Sequence, residues 1–284
     1  MFGINLKSKE HLIGLLVAVL AFALFKPMLG PLVTAWSEDP ESSHCFLIPF
    51  VCGYLIWINR ERIAQEEMKE SGWGLALLVF GILLYLLSYL GGIDVAQRVS
   101  FVVVLNGLVL YNLGMAVYQR ILFPMIFLFL MIPIPITFLS MVSFPLQILS
   151  TTLSKDLLLF IGVPVIQAGN ILHTPKGSLE IVEACSGIRS LVSYITMSLF
   201  FAYWNGGRWT TKITLVLSTV PIALGANVVR ITFTTLMGVI YGMQIARGFL
   251  HDASGFVLFG IGILVFLIES HYLKLYFEKE SAPQ

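Results

Sequence analysis

Apolar residues occupy this chain in blocks too long for a soluble core, and short polar clusters separate them. A membrane-crossing helix needs about 20 apolar residues, and about eight blocks approach that length. The first runs from Leu12 to about Trp36, interrupted by Lys26, Pro27 and Pro31. Val33-Thr34-Ala35 resembles a signal-peptidase site. The block is nevertheless long for a leader and carries Pro-Met-Leu-Gly-Pro in its later half, so no cleavage is expected. After a polar patch, Ser37–His44, the second block spans Cys45–Ile58. The third is Trp73–Leu90, the fourth about Val99–Val117, and the fifth Ile121 to about Leu139. Ile132-Pro133-Ile134-Pro135 should break the fifth near its end. Ile188–Trp204, about Ile213–Tyr241 with a break near Pro221, and Ala253–Tyr272 complete the set, and 274–284 forms a polar tail.

Between the fifth and sixth blocks, over 140–185, the pattern changes. About Phe144–Phe160 has helical spacing of mixed polarity and reads as an amphipathic helix along the membrane surface. Val163–Ile181 reads as a short β hairpin, with β-rich Val-Pro-Val-Ile-Gln and Gly-Ser-Leu-Glu-Ile-Val flanking a Pro-Lys-Gly turn. The expected fold is therefore an all-α polytopic membrane protein of about eight spans in one domain, 1–284, with this helix and hairpin before the sixth span.

Loop charge orients the spans. With the N-terminus inside, cytoplasmic segments hold Lys7, Lys9, Arg60, Arg62, Lys69, Arg120, Arg208, Lys212, Lys274 and Lys279. The outer loops hold Glu38, Asp39, Glu41 and Asp94, with Arg98 at a boundary. Both termini are then cytoplasmic, and 140–185 lies outside. Arg230, in the later half of the seventh span, and His251, at the mouth of the eighth, fall on that same outer side.

Composition agrees. The 284 residues are 57% hydrophobic and 12% charged, about half the charge of a soluble domain. A net charge of +1 carries no footprint for nucleic acid. Cys45, Cys52 and Cys185 form neither a disulfide framework nor a metal pattern. No cofactor is called for. Cys45 and Cys52 read as small side chains buried within or beside a span.

Against this background Leu179–Leu191 stands out, because two acids, a cysteine, a glycine and an arginine crowd where a polar loop becomes an apolar helix. Unpaired N–H groups and the dipole at a helix start favour an anion and lower a thiol's pKa. Cys185 is therefore a candidate nucleophile. Such a thiol needs a proton shuttle and an oxyanion stabiliser. His251 can be the shuttle, or it can merely anchor a helix end. Arg230 lies inside an apolar helix at a cost of about 2.5 kcal/mol or more at a span's centre, so it must face a polar cavity or partner. Asn227, three residues earlier, shares its face. Arg189, one turn beyond Cys185, could hold the thiolate or a substrate carboxylate, or pair with Glu183 or Glu180. Glu183 can orient the loop, and Ser186 is a further supporting candidate. His44 and Asp39 could line an outer entrance, although a structural role is the favoured reading for both.

Glu183-Ala184-Cys185-Ser186-Gly187-Ile188-Arg189-Ser190, then Ala226-Asn227-Val228-Val229-Arg230, then His251 opening the last span, resemble the exosortase/archaeosortase family. Asp39–His44 and the Ile-Pro-Ile-Pro break are similar to it too, although Cys45 stands where a glycine usually follows the outer histidine. The resemblance implies a multi-pass inner-membrane cysteine protease, thought to act as a transpeptidase, with its active site on the extracytoplasmic face. Its partners would be exported proteins whose C-terminal sorting tails carry a short motif such as Pro-Glu-Pro, a transmembrane helix and a basic cluster. Membrane lipid and an acceptor amine or water complete the set. The nucleophile then falls on Cys185, the arginine on Arg230 and the histidine on His251. Two other classes compete: a transporter binding an anionic solute at Arg230 and Arg189, and a non-catalytic scaffold of polysaccharide export machinery.

Overall fold

The computed structural model describes residues 9–39, 42–181, 187–206, 208–244 and 249–279. The chain is mostly helical and divides into two compact units, Met1–Pro135 and Ile136–Gln284.

In the first unit α1 (Lys9–Glu38) is continuous despite Pro27 and Pro31. A 3-10 turn, Ser43–Leu47, leads into α2 (Ile48–Ile58), and a single turn, α3 (Arg60–Ile63), follows. Helices α4 (Gly72–Leu90) and α5 (Asp94–Arg120) form a tight pair. Small residues bring their backbones together: a Cβ on Gly107 would stand 2.7 Å from the Leu78 nitrogen. Close approach of this kind is how helices associate where no hydrophobic effect drives them. Phe25 of α1 fits against Tyr85 and Phe101 of that pair, with ring centroids 4.4 and 5.2 Å away. Helix α6 (Leu122–Phe127) and a 3-10 turn end at Met131, so the Ile-Pro-Ile-Pro run does break the chain. The expected fifth span, 121–139, is therefore shorter than one membrane thickness.

The second unit begins with α7 (Ile136–Phe160), which starts earlier than expected and passes through Pro145 without interruption. Its polarity is inverted relative to a soluble helix. Ser143, Gln147, Ser150, Thr151 and Ser154 are buried, while Met141, Phe144 and Phe160 are exposed. A helix lying on the membrane surface would turn that polar stripe to water. Here the stripe is packed against a neighbouring helix and the apolar face is outward, the polarity of a helix in lipid.

Three strands follow, β1 (Ile166–Ala168), β2 (Ile171–Thr174) and β3 (Gly177–Glu180), in an antiparallel meander of order β1-β2-β3. The expected hairpin thus has an additional middle strand, Ile-Leu-His-Thr, set between the Gly169-Asn170 and Pro175-Lys176 turns. Then come α8 (Ile188–Trp204), α9 (Trp209–Tyr241) and α10 (Phe249–Lys279), which pack together. Leu158 of α7, Val165, Leu172, Ile181 and Ile231 of α9 form one core that seats the sheet on the helices.

By length and composition five described helices can cross a membrane: Val19–Glu38 within α1, α4, α5, α7 and α9. The other expected spans fall on shorter apolar stretches, among them Ser43–Ile58, Leu122–Met131 and Val257–Leu273 within α10.

Candidate active site

Two of the polar residues singled out from the sequence, Asn227 and Arg230, lie one turn apart on α9. Asn227 is 5% exposed, and its Nδ2 donates to Ser150 Oγ on α7 at 3.1 Å. One turn further along α7, Ser154 Oγ donates to the Val228 carbonyl at 3.2 Å. Helix α9 is thus tied to α7 at two successive residues. Arg230 follows on the next turn, half-buried. Ile231, beside it, enters the core beneath the sheet.

The segment between the sheet and α8 is held at both ends on this same stretch of α9. On the sheet side, Ile181 shares a core with Ile231. Its N–H donates to the Asn170 carbonyl at 2.9 Å, and Asn170 Nδ2 donates to the Ile181 carbonyl at 3.0 Å. On the helix side, Gly187 caps α8 at φ +79°. It sits so close to Asn227 that a Cβ there would stand 3.0 Å from the amide carbon. Positions 227 and 231 are about 6 Å apart along the α9 axis, and Arg230 lies between them.

Helix α10 runs alongside α8 in a constant register. Tyr194 Oη donates to the Phe259 carbonyl at 3.1 Å, and its ring stacks on Phe259 with centroids 5.2 Å apart. Near the other end Asn205 Nδ2 donates to Ser270 Oγ at 2.8 Å. Both pairs are separated by 65 residues in sequence.

Cys185, Glu183 and Ser186 lie outside the described residues. So does the His251 side chain, although its backbone belongs to the third residue of α10. Arg189 is exposed in the first turn of α8, and Glu180 is exposed on β3. Among the described residues no ion pair joins them. His44 lies in the first unit, half-buried, with Nε2 3.8 Å from Cys45 Sγ. Nearby, Ser42 Oγ donates to Asp39 Oδ2 at 2.6 Å. Cys45 Sγ and Cys52 Sγ point at the carbonyls of Leu130 and Pro124, 3.4 and 3.2 Å away, as expected of buried structural thiols.

Sequence reasoning passed over Ser150 and Ser154. Their signal was present: polar residues at 143, 147, 150, 151 and 154 repeat at helical spacing along one face. Reading the segment as a surface helix gave that face to water.

Fold and site together define a polytopic helical membrane protein in which buried polar groups of α7 bond to the arginine-bearing helix α9. The transmembrane exosortase family model matches residues 36–268, and the chain belongs to that family. Neither a curated protein nor a solved structure matches the chain.

Proposed function

We propose that this exosortase-family protein is a membrane-embedded cysteine protease that cleaves the C-terminal sorting tail of exported proteins through a thioester. The Cys185 thiolate attacks the scissile carbonyl, Arg230 stabilises the oxyanion, and His251 gives a proton to the leaving amine. The C–N bond breaks, and the thioester passes its acyl group to an acceptor amine or to water. Asn227 supports the loop. Glu183, Ser186 and Arg189 flank the nucleophile in sequence, and Arg189, exposed in the first turn of α8, meets the substrate's polar motif. The tail helix docks in the bilayer, and the chemistry takes place at the extracytoplasmic rim of the inner membrane.

The observation that carries this reading is the double tether around Arg230. Cys185 is two residues from Gly187, so their Cα atoms are at most about 7.6 Å apart. Gly187 in turn packs on Asn227, one turn from Arg230. The parallel course of α8 and α10 supports His251 as the third member, since it sets the start of α10, where His251 lies, toward the same end of the helices as the start of α8.

Depth favours catalysis over transport. Trp209 is 77% exposed, with Lys212 Nζ 5.2 Å from its ring centroid, a pairing suited to a membrane interface. Arg230 is 21 residues further on, about 32 Å along the helix and roughly one hydrocarbon thickness away. A solute site in a transporter belongs near the midplane.

The test is Cys185→Ala, co-expressed with candidate tail-bearing proteins whose C-termini are read by mass spectrometry. The expected result is an inserted protein with uncleaved tails. Normal processing by that variant would refute the enzyme reading.

A further inference from the structure

We propose that the outward face of α1 around Lys26 seats a transmembrane helix of a separate, resident membrane protein, one that carries an aspartate or glutamate near its middle. Helix α1 is buried along one side only. Ala21, Phe25, Met28 and Leu32 enter the first unit, while Ala23, Lys26, Pro27, Gly30, Pro31 and Thr34, on the opposite side, are exposed. Trp36, an aromatic of the kind that marks a membrane interface, is ten residues beyond Lys26. That is about 15 Å along the helix, half the hydrocarbon thickness. The ammonium is therefore near the middle of the bilayer, too deep for four methylenes to lift it to a lipid headgroup. A charge at that depth is costly unless another polar group meets it. Among the described residues Lys26 has neither an ion pair nor a hydrogen bond.

The rest of the chain holds no counter-charge at that depth. All sixteen Asp and Glu residues fall in polar clusters or near the ends of apolar blocks. A second copy brings the same set, and a two-fold dimer through this face would place lysine against lysine. The carboxylate has to come from another polypeptide. The surroundings of Lys26 suit a helix as its carrier. Pro27 and Pro31 have no N–H, so the carbonyls of Ala23 and Pro27 lack their helical donors. A side chain on a neighbouring span can bond them. Ala23, Gly30 and Thr34 are small, and nothing lies within 4 Å of where a Gly30 Cβ would be, so a second backbone can come close. A resident partner fits better than a passing substrate, because the ammonium is in the bilayer whether or not a substrate is bound.

The experiment reconstitutes the full chain in lipid vesicles and measures, by energy transfer, its association with labelled leucine–alanine spans of about 20 residues. One span has a central Asp, one a central Leu, and one has the Asp moved two turns toward an end. The central-Asp span is expected to bind about tenfold more tightly than the Leu span, the worth of one strong interhelical polar contact. Moving the Asp should lose most of that gain. Lys26→Met, which keeps an unbranched side chain without the charge, should abolish it. Equal binding of the Asp and Leu spans overturns the proposal, as does a preference that survives Lys26→Met or ignores where the Asp sits. Labelling of Lys26 by a membrane-impermeant amine reagent would place it in water and overturn it too. In the native membrane, a photoactivatable residue in place of Gly30 should capture, with or without substrate, a protein whose span has a central Asp or Glu. Capture of a second copy of this chain, of lipid alone, of a span without an acid, or of a polypeptide seen only when substrate is present overturns the proposal.

Discussion

Gly187→Ala places a single methyl group at the junction between the Cys185 segment and α8. The backbone there has φ +79° and ψ −1°, where an L side chain costs about 1–2 kcal/mol. The new Cβ would also stand 3.0–3.2 Å from three atoms of Asn227, tighter than ordinary contact by a few tenths of an ångström. Asn227 cannot retreat without stretching its bond to Ser150, worth about 1 kcal/mol. The two terms together come to about 2–3 kcal/mol, and the cheapest release is movement of the junction, since the helices on either side are packed. At about 1.4 kcal/mol per tenfold, the competent arrangement falls by roughly 30- to 150-fold. The assay is processing of a tail-bearing substrate alongside thermal unfolding in detergent: activity should collapse while the midpoint moves little. Gly187→Asn separates the terms, because asparagine accepts positive φ more readily yet keeps the steric contact. It should fall between alanine and glycine. A Gly187→Ala variant that processes substrate at the original rate would refute the argument.

Arg230→Gln should insert normally yet process substrate about a hundredfold more slowly or worse, the usual cost of one oxyanion donor. Processing within a few-fold of the original would remove Arg230 from that role. Tyr194→Phe keeps the stack on Phe259 but loses the hydroxyl bond, and should cost about 0.5–1.5 kcal/mol in detergent unfolding. A larger loss would mean that the hydroxyl anchors more than the α8–α10 register. Gly107→Ala should destabilise the α4–α5 pair by about 1–3 kcal/mol, because the methyl meets Leu78 backbone that cannot yield. An unchanged unfolding midpoint would show that those helices separate easily.

Much of the architecture was legible because lipid simplifies the code. Where the surroundings are hydrocarbon, an apolar run long enough to cross is a helix, and its ends are marked by charge or by proline. Met131 ends the α6 segment where Ile-Pro-Ile-Pro begins, and Lys9–Glu38, α4 and α5 fall on the apolar blocks. What failed was the sign of amphipathicity. Serines and threonines in an apolar helix were assigned to water, although in a multi-span protein the packed interior is the more polar side. Only the contact with α9 decides between the two, and that contact joins residues 77 apart in sequence. The middle strand was missed for a related reason. Ile-Leu-His-Thr is too short to show a period, and its Leu172 is buried by a core that includes α7 and α9.

For the site, residue chemistry pointed to Arg230 and Asn227, because an arginine within a span demands a polar partner and a residue three positions away shares its face. Spacing alone could not reveal that Ile181 and Gly187 are both fastened beside them. That fastening matters more than any single polar contact. The flanking residues Ile181 and Gly187 are fastened at Ile231 and Asn227, so the loop-closure entropy that the proposed meeting of thiol and arginine would cost is lower than for a connection with free ends. The order in which the elements appear follows from that economy. A sheet too small to be stable in isolation is seated on α9 ahead of the segment, and a glycine that accepts positive φ admits the chain to α8 immediately after it. The long helix α9 serves both anchors, which requires it to extend beyond the end of α8. Its 33 residues, about 50 Å, exceed the 17 of α8 by more than four turns.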